Sequence, residues 1–523
     1  MQRHTQKGTV TMKRSLRTGF AFLLSLMMCL GMMTGCQASK DPASSTTSRE
    51  PVDEGRETIP DDSETSTSVS SDANTTGTNA SVKPGSTTVK STGTQKTTAK
   101  KPTATKPNSG NDALTDGAYP PLGNNIMPIG AWVAPPRANV KNNNPSFIND
   151  TQYKMLKESG INLIYGLYET ATDNMPDVQK SLDLCQKYGI KYLVRDSNTN
   201  DPDEEMMRTA LSKYAKHPAF AGIKVQDEPG ANSFERFGEM HPIYRNLLPN
   251  KYFYINLLPS YATASQLQYG AATTQTGGTM TFSEYLSQYI DEVKPRFLSY
   301  DYYPITGKAG TVENGYFNEL STFRTLGLKH NIPYWVFIQA TSYNSNTRRP
   351  NEAEILWQVN TALSYGAKGI QYFCYFTPLE DDIFKGSFID KYGKKTEIYA
   401  YGQKANKQIA AVDDVLMNSV SKGVIVSGTS PDPSIPAKDK LTKYGVVSGI
   451  SQSGAPFITG CFDHKGKDAY YVTNNSIEQS GTATLKFTKS VKGYQVVNGV
   501  KKEFSGTSVS VSLKAGEGAL IYF

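Results

Sequence analysis

The stretch Gly222-Ile223-Lys224-Val225-Gln226-Asp227-Glu228-Pro229 decides the fold of this chain. Its apolar residues predict a short buried strand, and Pro229 ends that strand because proline cannot donate to a β-ladder. The carboxyl groups of Asp227 and Glu228 then stand at the carboxyl end of the strand. Acidic side chains in this position are typical of the rim of a (β/α)8 barrel, where the barrel carries its functional residues.

Seven further strand-like runs accompany this one between residues 120 and 420, and amphipathic helical segments separate them. The runs are rich in Val, Ile, Tyr and Phe without clean alternation, which is typical of parallel strands buried on both faces. We therefore predict an α/β fold, a (β/α)8 TIM barrel over residues 117–420. A doubly wound open sheet is the competing fold, but no glycine-rich phosphate turn follows the first strand. The predicted strands are residues 129–133, 163–167, 192–195, 222–226, 252–257, 297–301, 334–338 and 369–373.

The two ends of the chain have a different composition. Residues 421–523 contain short β-type runs separated by turn residues, which predict a small antiparallel β-sandwich as an accessory domain. Residues 1–36 combine a basic start with an apolar run too short for a bilayer span, as in a secretory signal. The run ends in small residues before Cys36 and resembles the lipobox of bacterial lipoproteins, which implies a lipid anchor at Cys36. Residues 37–116 are rich in Ser and Thr, and we predict a disordered linker.

Composition also excludes some classes of function. Cys185, Cys374 and Cys461 lie far apart in apolar surroundings without metal-type spacing, so we expect buried free thiols. The formal net charge is +7, but basic and acidic residues are interspersed, so nucleic-acid binding is not indicated. We expect no cofactor and no metal, and a monomer.

The carboxyl ends of the eight predicted strands carry the candidate site. Carboxylates, amides and aromatic rings converge there, and such a surface suits a hydroxyl-rich ligand. No histidine falls at these strand ends, which argues against a metal centre and against Ser-His hydrolysis. The predicted catalytic residues are Asp227, Glu228 and Asp301, and the predicted substrate-binding residues are Trp132, Tyr168, Glu169, Asp196, Asn198, Asn256, Tyr303, Gln339 and Tyr375.

With these residues in place, the chain resembles the (β/α)8 glycoside hydrolases, especially clan-A-like enzymes such as the family 42 and family 5 barrels. In that clan the acid/base is a glutamate at the end of strand four, commonly in Asn-Glu-Pro, and Glu228 in Asp227-Glu228-Pro229 matches it. The resemblance implies a glycoside hydrolase that acts on an extracellular oligo- or polysaccharide.

The chain departs from the family at Gln339, where clan A has its nucleophilic glutamate at the end of strand seven. Three interpretations stay open. Asp301 is the second carboxylate, as nucleophile or as base for water; or Asp227 orients a substrate acetamido group beside Glu228; or the site binds sugar without cutting it. The last defines the alternative function, a non-catalytic glycan-binding lipoprotein on a degenerate hydrolase barrel.

Overall fold

The structure is a computed structural model that describes residues 113–115, 117–138, 144–344, 346–379 and 383–523. The predicted signal with Cys36 lies outside these ranges, as does nearly all of the predicted linker, residues 37–116. Within the described ranges, no helix is long and apolar enough to cross a membrane.

Eight parallel strands form one sheet in the order β5-β4-β3-β2-β1-β8-β7-β6, and the sheet closes on itself. Closure occurs at the ends of β5 and β6, where Leu257, the residue after β5, bridges Tyr300 and donates its N–H to the carbonyl of Ser299 at 2.8 Å. The predicted (β/α)8 barrel is therefore confirmed. The strands are β1 Ile129–Ala131, β2 Leu163–Tyr165, β3 Lys191–Val194, β4 Phe220–Asp227, β5 Tyr252–Asn256, β6 Leu298–Tyr300, β7 Tyr334–Gln339 and β8 Gly369–Phe373.

Helices connect these strands, and local sequence signals set several of their ends. The second helix has Pro176 in its first turn and ends at Gly189, whose φ of 65° is left-handed as a glycine C-cap requires. Thr281 with Glu284 and Asn351 with Glu354 form capping boxes. The helices in the described residues are α1 Asp150–Glu158, α2 Met175–Tyr188, α3 Glu204–Leu211, α4 Phe234–Leu247, α5 Ala264–Tyr269, α6 Phe282–Val293, α7 Tyr316–His330, α8 Glu352–Tyr365, α9 Glu397–Ala410 and α10 Asp413–Met417.

Aromatic side chains fill the amino-terminal half of the barrel interior. Trp335 on β7 stacks on Phe297 with ring centroids 4.4 Å apart and meets the edge of Tyr252 at 5.1 Å. Gly369 on β8 makes room for it, since a Cβ there would lie 2.4 Å from the indole ring. This packed layer gives the strands a rigid base, so that their carboxyl ends can hold side chains in fixed positions.

The C-terminal region is an antiparallel β-structure of seven strands, and the predicted β-sandwich is confirmed. The runs predicted in this region miss the first two strands and divide the long strand Gly481–Val497 at its exposed, polar middle. They are residues 457–462, 469–473, 482–487, 494–497, 508–513 and 519–523. A register shift between Lys486 and Val491 marks that point in the ladder. The strands are β9 Ser419–Ser427, β10 Val447–Gly454, β11 Phe457–His464, β12 Lys467–Asn474, β13 Gly481–Val497, β14 Val500–Leu513 and β15 Gly518–Tyr522.

Helix α8 joins the barrel to the sandwich. The indole N–H of Trp357 donates to Asn475 Oδ1 at 2.8 Å, and the amide of Asn360 donates to the carbonyl of Gly516 at 2.8 Å. Every residue of α8 from Glu354 to Tyr365 is buried. The boundary at residue 420 stays a prediction, since these contacts tie the two parts together. The three cysteines Cys185, Cys374 and Cys461 are buried free thiols, as expected.

Candidate active site

A small pocket lies at the carboxyl ends of the barrel strands. Its volume is about 40 Å³, and acidic groups and aromatic rings share its lining. Trp132 packs edge-on against Phe337 at 6.1 Å, and Tyr303 lies 5.4 Å from Tyr343. The lining residues are Trp132, Asp227, Glu228, Asn256, Asp301, Tyr303, Phe337, Tyr343, Phe373 and Phe384.

Glu228 stands in a strained backbone conformation at the end of β4. Its φ is +44°, which residues other than glycine rarely adopt and which costs about 1–2 kcal/mol. Two hydrogen bonds hold this conformation: Glu228 donates its N–H to the carbonyl of Asn256 at 2.8 Å, and its carbonyl accepts from Ala271 at 3.1 Å. Strain of this kind is stored mainly at functional sites, and here it accompanies a glutamate that is only 6% exposed.

The carboxyl groups of Glu228 and Asp301 share a hydrogen bond. Burial and the charge of Asp227 raise the pKa of Asp301 to about 7, although its hydrogen bonds with Asn256 and Glu228 oppose that rise. Two carboxylates in contact cannot both ionise easily, because each charge disfavours the other. Near neutral pH the pair therefore holds a proton that can be delivered to a bound molecule.

A chain of hydrogen bonds from the barrel interior orients this pair. Gln371 on β8 donates to the hydroxyl of Ser299 at 2.9 Å, and Ser299 donates to Asn256 Oδ1 at 2.9 Å. With its oxygen so occupied, Asn256 directs its amide nitrogen to Asp301 Oδ1 at 2.8 Å. The same amide also hydrogen-bonds Asp227. Asn256 on β5 thus bridges Asp227, the last residue of β4, and Asp301, which follows β6.

Lys224 places a buried amino group against Trp132, a residue of the pocket lining. It lies on β4, is 3% exposed, and places Nζ 3.5 Å from the centroid of the Trp132 ring. Burial lowers the pKa of Lys224 well below its usual value and raises that of Asp227, while the attraction between the two opposes both shifts. Sequence reasoning did not single out Lys224, although a lysine three residues before Asp227 inside an apolar strand is a visible signal.

Gln339 lies at the end of β7, but its side chain is committed to the backbone. Its amide nitrogen donates to the carbonyls of Ile305 and Arg348 at 2.9 and 3.0 Å, and its Oε1 accepts from the N–H of Ile305 at 3.0 Å. It is fully buried and is not among the residues that line the pocket. Gln339 therefore fastens the loops after β6 and β7, and we no longer assign it to a bound sugar.

Glu169 and Asp196 follow β2 and β3 and also point away from the pocket. Glu169 is buried and accepts a hydrogen bond from Tyr192, and burial raises its pKa to about 7. Asp196 accepts from the hydroxyls of Thr172 and Tyr214 at 2.7 and 2.8 Å, which orders the loop after β3. Both carboxyl groups serve the packing around the barrel rather than its rim.

Three further predicted binding residues are also absent from the pocket lining. The hydroxyl of Tyr168 accepts from the N–H of Leu379 at 2.9 Å, in the loop after β8. Asn198 lies in a short 3-10 turn at the surface, and Tyr375 is fully buried between the barrel and α1. The pocket therefore brings together Trp132, Asn256 and Tyr303 with the three predicted catalytic residues.

Four aromatic pocket residues were not predicted from the sequence. Phe337 and Phe373 lie inside strands β7 and β8, where a phenylalanine is indistinguishable from core in sequence. Tyr343 and Phe384 lie in the loops after those strands, and no periodic signal marks a loop residue as part of a pocket. Among the described residues, no cluster of His, Cys, Asp and Glu could hold a metal ion.

The fold and the site define a (β/α)8 barrel with a buried carboxyl pair at the carboxyl ends of its strands. No family model and no curated protein sequence matches the chain. Among solved structures, the chain is similar to enzymes that cleave glycosidic bonds. One is the beta-galactosidase from Bacillus circulans sp. alkalophilus, with 9% identity, a TM-score of 0.45, and coverage of 76% of this chain and 98% of that one.

Two others are the endo-beta-1,4-mannanase from Thermotoga petrophila and the beta-galactosidase from the psychrophilic Marinomonas ef1. The mannanase shares 10% identity at a TM-score of 0.37, over 75% of this chain and 99% of its own. The Marinomonas enzyme shares 11% identity at a TM-score of 0.40, over 56% of this chain and 62% of its own. At these identities and scores the likeness carries no argument about chemistry, which rests on the site itself.

Proposed function

We propose that this protein is a glycoside hydrolase in which Glu228 is the general acid. The observation that carries the proposal is the hydrogen-bonded pair of Glu228 and Asp301, with the pKa of Asp301 near 7. Cleavage of a glycosidic bond needs a carboxylic acid that is still protonated at working pH, so that it can protonate the leaving oxygen. The pair supplies such a proton. The side chain of Glu228, whose backbone is strained, lines the pocket.

Asp301 acts in this proposal as the residue that keeps the proton on the pair. A carboxyl group in hydrogen-bond contact with Glu228 is nearer than the roughly 5 Å that separates acid and nucleophile in retaining glycosidases. The separation is also shorter than the one in inverting enzymes, where a water fits between the two carboxyl groups. We therefore move the second catalytic role from Asp301 to another group.

Asp227 is the group to which we assign that role. Attraction to Lys224 and the hydrogen bond with Asn256 lower the pKa of Asp227, but burial is the larger effect and leaves that pKa raised. An ionised carboxylate beside the acid can serve as base for water or can orient a substrate group that attacks the sugar carbon. The role of base for water was open for Asp301 and that of orienting a substrate group for Asp227; we propose Asp227 for both, because Asp301 is paired with Glu228.

The lining suits a carbohydrate. Aromatic faces such as those of Trp132 and Tyr303 cover the apolar side of a sugar ring, and Asn256 and the acids match its hydroxyl groups. The volume of about 40 Å³ holds water but no sugar ring, so entry of a substrate requires the lining to rearrange. We expect the substrate to be an extracellular oligo- or polysaccharide.

A second function keeps specific support, that of a glycan-binding protein without activity. Gln339 favours it, because no carboxylate occupies the end of β7 and the amide is fully used by the backbone. A panel of aryl glycosides and polysaccharides, offered to the wild type and to Glu228→Gln, separates the two functions. Turnover that is lost in Glu228→Gln supports the hydrolase; saturable binding without turnover across the panel supports the binding protein.

We also propose that the protein works outside the cytoplasm, held to a membrane through lipid on Cys36. The basic, apolar and small residues that precede Cys36 carry this proposal. Cys36→Ser is expected to release the protein from the membrane fraction of the producing cells. A Cys36→Ser protein that stays in the membrane fraction to the same extent would contradict the anchor.

A further inference from the structure

A buried serine outside the acidic pocket stands at the junction of a hydrogen-bond network. Ser299 lies on β6, is fully buried, and is not among the residues that line the pocket. Its hydroxyl accepts from the amide of Gln371 at 2.9 Å and donates to Asn256 Oδ1 at 2.9 Å. Asn256 in turn donates to Asp301 Oδ1 at 2.8 Å. Ser299 is therefore two hydrogen bonds away from one member of the carboxyl pair.

The donors around Gln371 fix the direction of this network. The hydroxyls of Tyr165 and Tyr254 both donate to Gln371 Oε1, at 2.5 and 2.8 Å. Because two donors occupy its oxygen, Gln371 directs its amide nitrogen to Ser299. An amide nitrogen only donates, so Ser299 accepts there and keeps its single proton for another partner. The nearer acceptor is Asn256 Oδ1 at 2.9 Å, since the hydroxyl oxygen of Tyr254 lies 3.1 Å away.

The rotation of the Asn256 amide matters to Asp301 because the two ends of an amide act in opposite ways. The nitrogen donates and stabilises an ionised carboxylate, whereas the oxygen accepts and therefore needs a protonated carboxyl. With Oδ1 held by Ser299, the nitrogen of Asn256 faces Asp301. This hydrogen bond lowers the pKa of Asp301 against the larger effect of burial. Without the serine hydroxyl, Oδ1 loses this donor and the amide is free to turn.

We propose that Ser299 is a positioning residue of the candidate active site, whose hydroxyl fixes the rotation of the Asn256 amide and so holds the hydrogen bond to Asp301. Ser299 does not line the pocket, so its effect on a substrate passes through Asn256. The kinetic consequence rests on the proposed function. The orientation itself can be tested without a substrate, by the titration of Asp301.

Other titratable groups surround Asp301, and they can be told apart from it. The tyrosines among them have raised pKa values and stay neutral near pH 7. The pKa of Glu319 on α7 is raised to about 7, but a label on aspartate does not report a glutamate. Asp227 receives a hydrogen bond from the same amide, so its titration should move in the same direction as that of Asp301. The groups that act on Asp301 are Asp227, Glu228, Tyr254, Tyr285, Tyr300, Tyr303 and Glu319.

The test is a carbon-13 NMR titration of the full chain, labelled at the aspartate side-chain carboxyl, from about pH 4 to about pH 9. The signal of Asp301 is the one that Asp301→Asn removes. In Ser299→Ala we expect the midpoint of this signal to move to higher pH by about one pH unit, the size that fits the loss of one hydrogen bond to an ionised group. An unchanged midpoint in a folded Ser299→Ala protein would overturn the proposal.

Tyr254→Phe is the matched control, because it also deletes a buried hydroxyl of the network. Tyr165 still donates to Gln371, and the bond from Ser299 to Asn256 remains, so the midpoint of Asp301 should stay in place. A shift as large as that of Ser299→Ala would mark a general effect of repacking and would count against the proposal.

Ser299→Cys replaces Ser299→Ala if the alanine variant does not fold. The thiol keeps the side-chain shape but is a weak donor, so we expect a smaller shift of the Asp301 midpoint in the same direction. An Asp301 midpoint equal to that of the wild type in Ser299→Cys would overturn the proposal.

Activity measurements separate this proposal from the proposed hydrolysis. In an active enzyme, the fall of kcat/KM at high pH should move with the Asp301 midpoint in Ser299→Ala and stay in place in Tyr254→Phe. A protein that cleaves no glycoside but shows the Asp301 shift keeps the orienting role of Ser299 and loses the hydrolase function. A midpoint that moves while the fall of kcat/KM stays in place would contradict a role of Ser299 in the reaction.

Discussion

Asp301 and Glu228 touch through their carboxyl groups although they follow different strands, β6 and β4. The strand between them, β5, contributes Asn256, whose amide bonds Asp301 at 2.8 Å and also bonds Asp227. The barrel thus brings three acids from two strand ends around one amide. Burial, together with the charge of Asp227, keeps a proton in the site near neutral pH, and that proton is the basis of the proposed chemistry.

The pH dependence of activity should report this pair. The acid works only while the proton is present, so kcat/KM should fall as the pH rises through about 7, the pKa of Asp301. Asp301→Asn removes the titrating partner, and the fall near pH 7 should disappear from its profile. The check is kcat/KM measured from about pH 4 to about pH 9 for both proteins.

Asp183→Asn is the matched control for this profile, since Asp183 is exposed on α2. It should keep the fall near pH 7. If Asp301→Asn shows the same fall as the wild type, the pair does not control the proton.

The substitution Gln339→Glu tests whether the chain is a clan-A enzyme that lost its nucleophile. The amide of Gln339 donates to the carbonyls of Ile305 and Arg348, and a carboxylate there would face the same two acceptors. We expect no gain in activity and a loss of stability on the order of 2 kcal/mol, measured by denaturant unfolding.

Gln452→Glu, exposed on β10, is the control for Gln339→Glu and should change stability by less than about 0.5 kcal/mol. An active Gln339→Glu protein with wild-type stability would restore the two-glutamate mechanism and remove the role given to Asp227.

The sequence predicted the barrel well because each strand is a compact apolar run that ends in polar residues. All eight predicted strands overlap observed ones. The strand before Glu228 was predicted from the eight residues 222–229. Position at a strand end proved a weaker guide to the site. Glu169 and Asp196 follow strands as Asp301 does, yet they point outward, because the direction of a side chain after a strand depends on the loop.

The contacts within the site could not be read from sequence. Nothing in the amino-acid sequence shows that the amide of Asn256 hydrogen-bonds two carboxyl groups, or that Nζ of Lys224 lies against the ring of Trp132. Loop aromatics such as Tyr343 reach the pocket only through the three-dimensional path of their loops. Strand periodicity gives the scaffold, whereas these contacts join residues from different strands and loops.

Glu169 makes stability depend on pH. Folding raises the pKa of this buried carboxyl from 4.5 to about 7. The unfolded chain therefore ionises first as the pH rises, and the contribution of Glu169 to stability is lost between these two values. Glu169→Gln removes the titration, and at about pH 8 it should be more stable than the wild type by on the order of 3 kcal/mol.

Melting temperatures at about pH 5 and about pH 8 check this prediction, with similar stabilities expected at the lower pH. Glu239→Gln, exposed on α4, should match the wild type at both values. A gain in Glu169→Gln that is the same at both pH values would show that ionisation is not its cause.

The junction between barrel and sandwich depends on a buried hydrogen bond. Trp357 donates to Asn475 at 2.8 Å, and both side chains are fully buried. Asn475→Ala leaves the indole N–H without a partner, so the free energy of unfolding should fall by about 2 kcal/mol. Asn318→Ala, exposed on α7, should change it by less than about 0.5 kcal/mol. If the two substitutions lowered the free energy of unfolding equally, the hydrogen bond between Trp357 and Asn475 would not stabilise the junction.

The leaving-group dependence of Glu228→Gln tests the central claim most directly. A general acid matters most when the leaving group is a poor one and little when the group leaves without a proton. We predict that Glu228→Gln loses about 10²- to 10⁴-fold in kcat/KM on an alkyl glycoside but less than about tenfold on the dinitrophenyl glycoside of the same sugar. A loss of the same size on both substrates would contradict the role of Glu228 as the acid.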